Sequence, residues 1–213
     1  MKNFRLLFSD DMARAIVKGR KTVTRRPVMP MGPQAMQALI DAHGGKGWPC
    51  APGDLLIGRE AWGRDPNGDR LFFRADGVAM SAGDHRYAYG KRCHFHGCKY
   101  CSDCFAPYMW EVPRVDGWRP PTSLPDAAAR IRRRVVSVMV ERLQDISEAD
   151  AVREGFEAVP VHGEWVIGGR ETHWSARKPF ADTWNAIYAA KGIGWAVNPW
   201  VWRIEFEGVN HAG

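Results

Sequence analysis

The chain has 213 residues, 45% of them apolar and 25% charged, and a net charge of +6. That length suits one domain with an insertion and supports a sizeable core. No run approaches the roughly 18 consecutive apolar residues of a membrane span, and Met1-Lys2-Asn3-Phe4-Arg5 leads into a strand-like run instead of a signal h-region, so the sequence predicts a folded, cytoplasmic protein.

In chain order, Phe4 to Phe8 reads as a strand. Ser9 offers an N-cap, Asp10 and Asp11 favour the positive end of a helix, and Met12, Ala13, Ile16 and Val17 recur at helical spacing before Gly19 stops it. Residues 27–52, rich in Pro, Gly and Met, predict a long loop with a short helix at Ala35–Ile40. Pro52-Gly53-Asp54 is a turn into a strand from Leu55 to Trp62, and Arg70 to Arg74 is another strand. Arg132 to Leu143 reads as a long strand, and Ser147-Glu148-Ala149-Asp150 has the capping-box layout of a short helix closed near Gly155. Pro179 suits the first turn of a helix whose Phe180, Trp184, Ile187 and Tyr188 share a face, ending before Gly192. The alternating run Trp200 to Phe206 is a final strand. Short strands with a few helices predict an α+β, mainly β, single domain built on a small mixed barrel.

Charge is segregated along the chain. Residues 1–134 hold 23 Lys/Arg against 13 Asp/Glu, a balance of +10, while residues 135–213 hold 7 against 11, a balance of −4. The densest basic run, Lys18-Gly19-Arg20-Lys21-Thr22-Val23-Thr24-Arg25-Arg26, favours a phosphate-bearing or polyanionic partner. A solvated basic loop would carry the same run. Arg130-Ile131-Arg132-Arg133-Arg134 is a second basic segment.

Gly19 to Arg26 after a strand and helix, then Pro52-Gly53-Asp54 and Arg59-Glu60-Ala61-Trp62, resemble the ASCH domain, a member of the PUA-like barrel superfamily. Trp118-Arg119-Pro120-Pro121, the strand end Val140 to Ile146 and the ending Asn198 to Trp202 are similar to the larger ASCH-containing proteins of phages and prophages. The resemblance covers most of residues 4–208 outside about 77–115. It implies one ASCH domain over 1–213, with peripheral helices and an insertion at about 77–115, acting in the cytoplasm of a bacterial host.

The same resemblance implies a nucleobase-sized cleft for RNA, single-stranded nucleic acid or a modified nucleoside. Arg20, Lys21, Thr24, Arg25, Arg26, Arg59, Trp62 and Arg134 are its candidate ligand-binding residues. In small ASCH amidohydrolases that act on N4-acetylcytidine, the matching lysine and threonine are catalytic, which makes Thr24 the candidate nucleophile and Lys21 its activator. On an extended segment residues 21 and 24 point to opposite faces, so both reach one cleft only if the chain turns between them. The family's strand glutamate falls on Arg134, which stays charged and cannot exchange a proton. Glu60 is the candidate replacement, because Glu141 lies seven residues on, roughly 23 Å along a strand. Three functions follow: binding without hydrolysis, amidohydrolysis, and a phage protein-interaction or assembly module.

Cys93, Cys98, Cys101 and Cys104 form a second constellation, with His94 and His96 in its first gap. Two-residue gaps let successive thiolates converge on one ion, so the cluster predicts a structural zinc site, with either histidine able to replace a cysteine. An unliganded loop is the alternative. Aromatics and cations interleave around it, from Arg86 and Tyr87 to Tyr108 and Trp110, in a pattern that suits stacking on unpaired bases or wrapping of the metal knuckle. Cys50 stands apart and reads as a buried apolar residue.

Overall fold

In a computed structural model, residues 1–28, 33–41, 48–65, 70–76, 115–166 and 169–209 are described, without the side chains of 33, 162–166 and 169–173. Nine strands and four α-helices of these residues follow one another as β1 (Asn3–Leu7), α1 (Asp10–Val17), β2 (Val23–Pro27), α2 (Pro33–Asp41), β3 (Leu55–Arg59), β4 (Trp62–Arg64), β5 (Leu71–Phe73), β6 (Ile131–Arg142), α3 (Glu148–Arg153), β7 (Val159–Val166), β8 (Gly169–Ser175), α4 (Arg177–Tyr188) and β9 (Trp200–Gly208). Five strands make one sheet in the order β1-β3-β6-β9-β2, and β4-β5 and β7-β8 are separate two-stranded ribbons. The fold is thus mixed and mainly β, as the sequence predicts. The expected barrel is not closed among the described residues, because the sheet ends at β1 on one side and β2 on the other.

The local signals act where the sequence places them. Gly19 sits at φ +74° beyond α1, a conformation that costs a residue with a Cβ. Ser147 accepts a hydrogen bond from the Asp150 amide, so it caps α3 as expected, but the Asp150 carboxylate turns to arginines instead of returning to the cap. Glu148 supplies the other end of a helix link: it accepts from the Ser175 hydroxyl and from the amides of Ala176 and Arg177 at the start of α4. The predicted strand from Leu55 to Trp62 breaks at Glu60 and Ala61, where the Glu60 side chain is buried against Arg130. The β7-β8 hairpin has no counterpart in the sequence reading, since His162, Gly163 and Glu164 interrupt any alternation and a bulge absorbs the irregularity between His162 and Trp165.

The described residues cluster into two compact units, each assembled from separate stretches of chain. The larger holds residues 15–56 and 132–213 with the first four residues, and the smaller holds 5–14 and 57–131. Within the larger unit, Leu143, Ile146, Ala151, Ala176, Phe180, Trp184 and Val201 form a core on which α3 and α4 rest. Phe156 meets Phe180 edge-on, and Tyr188 and Trp195 pack at its margin.

Within the smaller unit, Gly58 is a close-packing position. A Cβ there would lie 2.4 Å from Ile131 Cγ2 and 2.8 Å from its Cβ. Overpacking of this kind costs about 1–3 kcal/mol. Gly58→Ala is expected to lower stability by that amount in urea unfolding, and an unchanged midpoint would show that the strands part freely at this point.

Candidate functional site

The basic run enters the sheet as β2, which pairs antiparallel with β9 so that Thr24 opposes Ile204, Arg25 opposes Arg203 and Arg26 opposes Trp202. β9 in turn opposes β6, with Ile204 beside Val138, Trp202 beside Val140 and Arg203 beside Met139. Opposed residues share a face and alternate residues change face. One face therefore carries Thr24, Arg26, Trp202, Ile204 and Val138. The other carries Arg25, Arg203, Glu205 and Glu141.

The second face is an ion-pair network closed by α3. Lys21 is buried, and its Nζ donates to the Glu154 carboxylate and, at 2.9 Å, to the Glu154 carbonyl. Arg25, also buried, donates through Nε to Glu141 at 2.7 Å, through Nη2 to Asp150 at 2.7 Å and through Nη1 to Glu154 at 3.4 Å. Arg203 meets Asp150 at 2.8 and 3.1 Å, and Glu205 receives Arg203 and Arg153. Four cations thus face four carboxylates. Burial draws the Lys21 ammonium below its ordinary pKa, against the opposing pull of Glu154. The Asp150 carboxyl is held well below the usual carboxylate range, first by Arg203 and, after an opposing burial effect, by Arg25.

Thr24 has a different setting. It is fully buried on the opposite face, and its hydroxyl has no hydrogen-bond partner among the described residues. Trp202 lies diagonally beside it, with the Trp48 ring 5.0 Å from the Trp202 ring and the Trp48 indole N–H bonded to the Leu39 carbonyl. Arg26, opposite Trp202, is half-buried. Lys21 and Thr24, joined by the sequence argument, thus serve different surroundings: Lys21 shares Glu154 with Arg25, and Thr24 shares an apolar, aromatic face with Ile204 and Trp202.

The remaining candidates divide between the units. Arg20 pairs with Glu157 at 2.9 Å on the surface. Arg134 is exposed on β6, opposite Glu207. In the smaller unit, Glu60 is buried and receives Arg130 through two bonds of 2.9 and 3.0 Å, while Arg130 also reaches Asp76. Burial pushes the Glu60 carboxyl above its ordinary value, with Arg130 opposing. Arg59 pairs with Asp126, and Trp62 is buried with its indole N–H on the Ser123 hydroxyl and Arg119 over its ring. Glu60, Arg59 and Trp62 are therefore each engaged inside their own unit. Cys93, His94, His96, Cys98, Cys101 and Cys104 lie outside the described residues. No group of three or more His, Cys, Asp or Glu that could hold a metal ion occurs among the described residues. Cys50 is buried and free, with its thiol pushed up to about 12, mainly by burial.

Sequence reasoning missed Glu154 and Asp150. The signal was available in the charge balance, because the acid-rich segment 135–213 supplies all four carboxylates that neutralise the basic run from within. Glu141 belongs to the Lys21 network after all, three links away through Arg25 and Glu154. No family model, curated protein or solved structure matches the chain. No helix among the described residues is long and apolar enough to cross a membrane.

The Asp150 geometry sets a pH dependence. A carboxyl whose folded pKa is depressed adds stability above its unfolded value, about 3.9, and that stability disappears as pH falls through the folded value. Thermal melts of the native protein are expected to drop steeply below about pH 4. Asp150→Asn is expected to lose about 3 kcal/mol at neutral pH, since it leaves Arg25 and Arg203 short of a carboxylate, and to flatten the acid slope. Equal slopes for the two proteins would place the acid sensitivity elsewhere.

Proposed function

We propose that the larger unit is an ASCH-like nucleobase or nucleotide binder, with the base held on the Thr24 face of the sheet. The observation that carries this is the Thr24 hydroxyl, buried and without a partner among the described residues beside the Trp48–Trp202 pair and Arg26. An unpaired buried hydroxyl costs about 1–3 kcal/mol, which a ligand's amide or ring nitrogen would offset. The half-buried Trp48 ring, backed by the buried Trp202, offers a stacking surface. RNA, single-stranded nucleic acid and free modified nucleosides all present such a base.

Binding without hydrolysis is favoured over amidohydrolysis by the same geometry. The donors of Lys21 are directed to Glu154, and the hydroxyl of Thr24 faces the other side of β2, so the amine is not positioned to take the hydroxyl's proton. Isothermal titration with cytidine and N4-acetylcytidine is expected to show binding that Thr24→Val weakens about fivefold to a hundredfold, the equivalent of roughly 1–3 kcal/mol. Release of acetate from N4-acetylcytidine, abolished by Lys21→Met, would overturn this and establish the hydrolase; an unchanged affinity in Thr24→Val would remove the base from this face.

The cysteine segment carries a separate proposal, supported by its spacing alone. Cys93, Cys98, Cys101 and Cys104, with His94 or His96 as a substitute, would hold one structural zinc ion in a closed tetrahedral set. Native mass spectrometry is expected to find one metal ion per chain, lost in the Cys98→Ser, Cys101→Ser double variant. A metal-free preparation that melts like the wild type would contradict it.

A further inference from the structure

We propose that the larger unit carries a second nucleic-acid surface, away from Thr24, formed by three cation–aromatic pairs that track an unpaired strand. The Arg142 guanidinium lies 4.2 Å from the centre of the Trp200 ring, Arg177 lies 5.9 Å from Trp195, and the Lys191 ammonium lies 5.4 Å from Tyr188. All three rings are half-buried, and Arg142 and Lys191 are exposed.

The first two pairs are joined by a polar link. Arg142 Nη1 donates to the Asn198 carbonyl, and Asn198 Oδ1 accepts from the Gln144 amide. The Gln144 carbonyl accepts from Arg177 Nη2, and its side-chain amide donates to the Trp195 carbonyl. Asn198 reaches this geometry at φ +48°, a backbone conformation uncommon outside glycine. Lys191 and Tyr188 lie at the end of α4 and just beyond it, and the Trp184 ring packs at a tilt against Tyr188 with 4.5 Å between ring centres.

Six other cations of the unit are neutralised by direct pairing. Lys21, Arg20, Arg25, Arg153, Lys178 and Arg203 each form an ion pair with a carboxylate. Arg142, Arg177 and Lys191, like Lys18, Arg133 and Arg134, form no side-chain ion pair among the described residues; the Arg142 and Arg177 guanidinium groups donate to backbone carbonyls, while their backbone amides donate to Asp145 and Glu148. Glu148, which caps α4, is the acid that senses the charge of Arg177. The segment from 135 to 213 is acidic as a whole, yet three of its cations lie over aromatic rings without a direct carboxylate contact to their side chains. A planar guanidinium presents a second face on which a base can stack while its N–H groups reach a phosphate, and base–aromatic stacking is tolerant of sequence. Single-stranded RNA or DNA supplies both a ring and a phosphate at each step, which a protein acid cannot do.

Fluorescence anisotropy with a labelled 15-nucleotide oligouridylate is the test. Wild-type protein is expected to bind with a log–log salt slope of about −2, the value for three phosphate contacts on a single strand. The Arg142→Gln, Arg177→Gln, Lys191→Gln variant is expected to bind at least tenfold more weakly with a shallower slope. Lys191→Gln alone, a change at an exposed side chain, is expected to weaken binding twofold to fourfold with an unaltered melt, so the proposal stands or falls even if the triple variant unfolds. The triple variant is expected to bind free cytidine as the wild type does, which separates this surface from the base site. Absence of salt-dependent binding, undiminished binding by Lys191→Gln and the triple variant, or equal competition by a matched duplex or by polyglutamate would overturn it.

Discussion

Burial of the Lys21 ammonium against Glu154 is the constraint around which the larger unit is arranged. A buried charge is tolerated only with a partner and with its hydrogen bonds filled, and here one residue supplies both a carboxylate and a carbonyl. Glu154 can do so because it ends α3, where a helix leaves its last carbonyls open, and Gly155 at φ +96° turns the chain away. A Cβ on Gly155 would sit 3.0 Å from Ala15 and 3.3 Å from Lys21, so the turn also makes room for the lysine. The Thr22 amide, bonded to the Arg153 carbonyl, fixes the same junction from the other side.

From that junction the ion pairs extend across the sheet to Asp150, Arg203, Glu205 and Glu141, and they occupy one face of β2 and β9. The other face is then left to Thr24, Trp202 and Ile204. The division follows from strand alternation: once Lys21 and Arg25 are committed to α3, Thr24 cannot be. Two of the five cations in what reads as a polyanion-binding run, Lys21 and Arg25, are therefore internal structure.

Much of the fold was legible. Gly19, Ser147, Pro179 and the alternation of Trp200 to Phe206 each act through a local rule, and the elements they mark are present. The break at Glu60, the β7-β8 hairpin and the open sheet were not legible, because each depends on a partner distant in sequence: Arg130 for Glu60, a bulge for the hairpin, and the neighbour order for the sheet. At the candidate site, the motif marks Lys21, Thr24, Arg25 and Arg26 as expected site residues, and strand alternation already sets residues 21 and 24 on opposite faces. Asp150 reads in the sequence only as part of a capping box, and Glu154 carries no motif, since a capping pattern gives no hint that its acid will turn toward an arginine on another strand. Arg142, Arg177 and Lys191 are dispersed in sequence, and only the fold stacks them on Trp200, Trp195 and Tyr188.

A double-mutant cycle on Lys21 and Glu154 tests the central claim most directly. Lys21→Met, Glu154→Gln and the combination would be compared by urea unfolding at neutral pH. The account predicts that each single change is severe, about 3–5 kcal/mol, because it strands a buried partner, and that the double variant loses clearly less than the sum, with a coupling energy of about 2 kcal/mol or more. Additive losses would contradict it, and would mean that Lys21 and Glu154 do not hold each other in the folded protein.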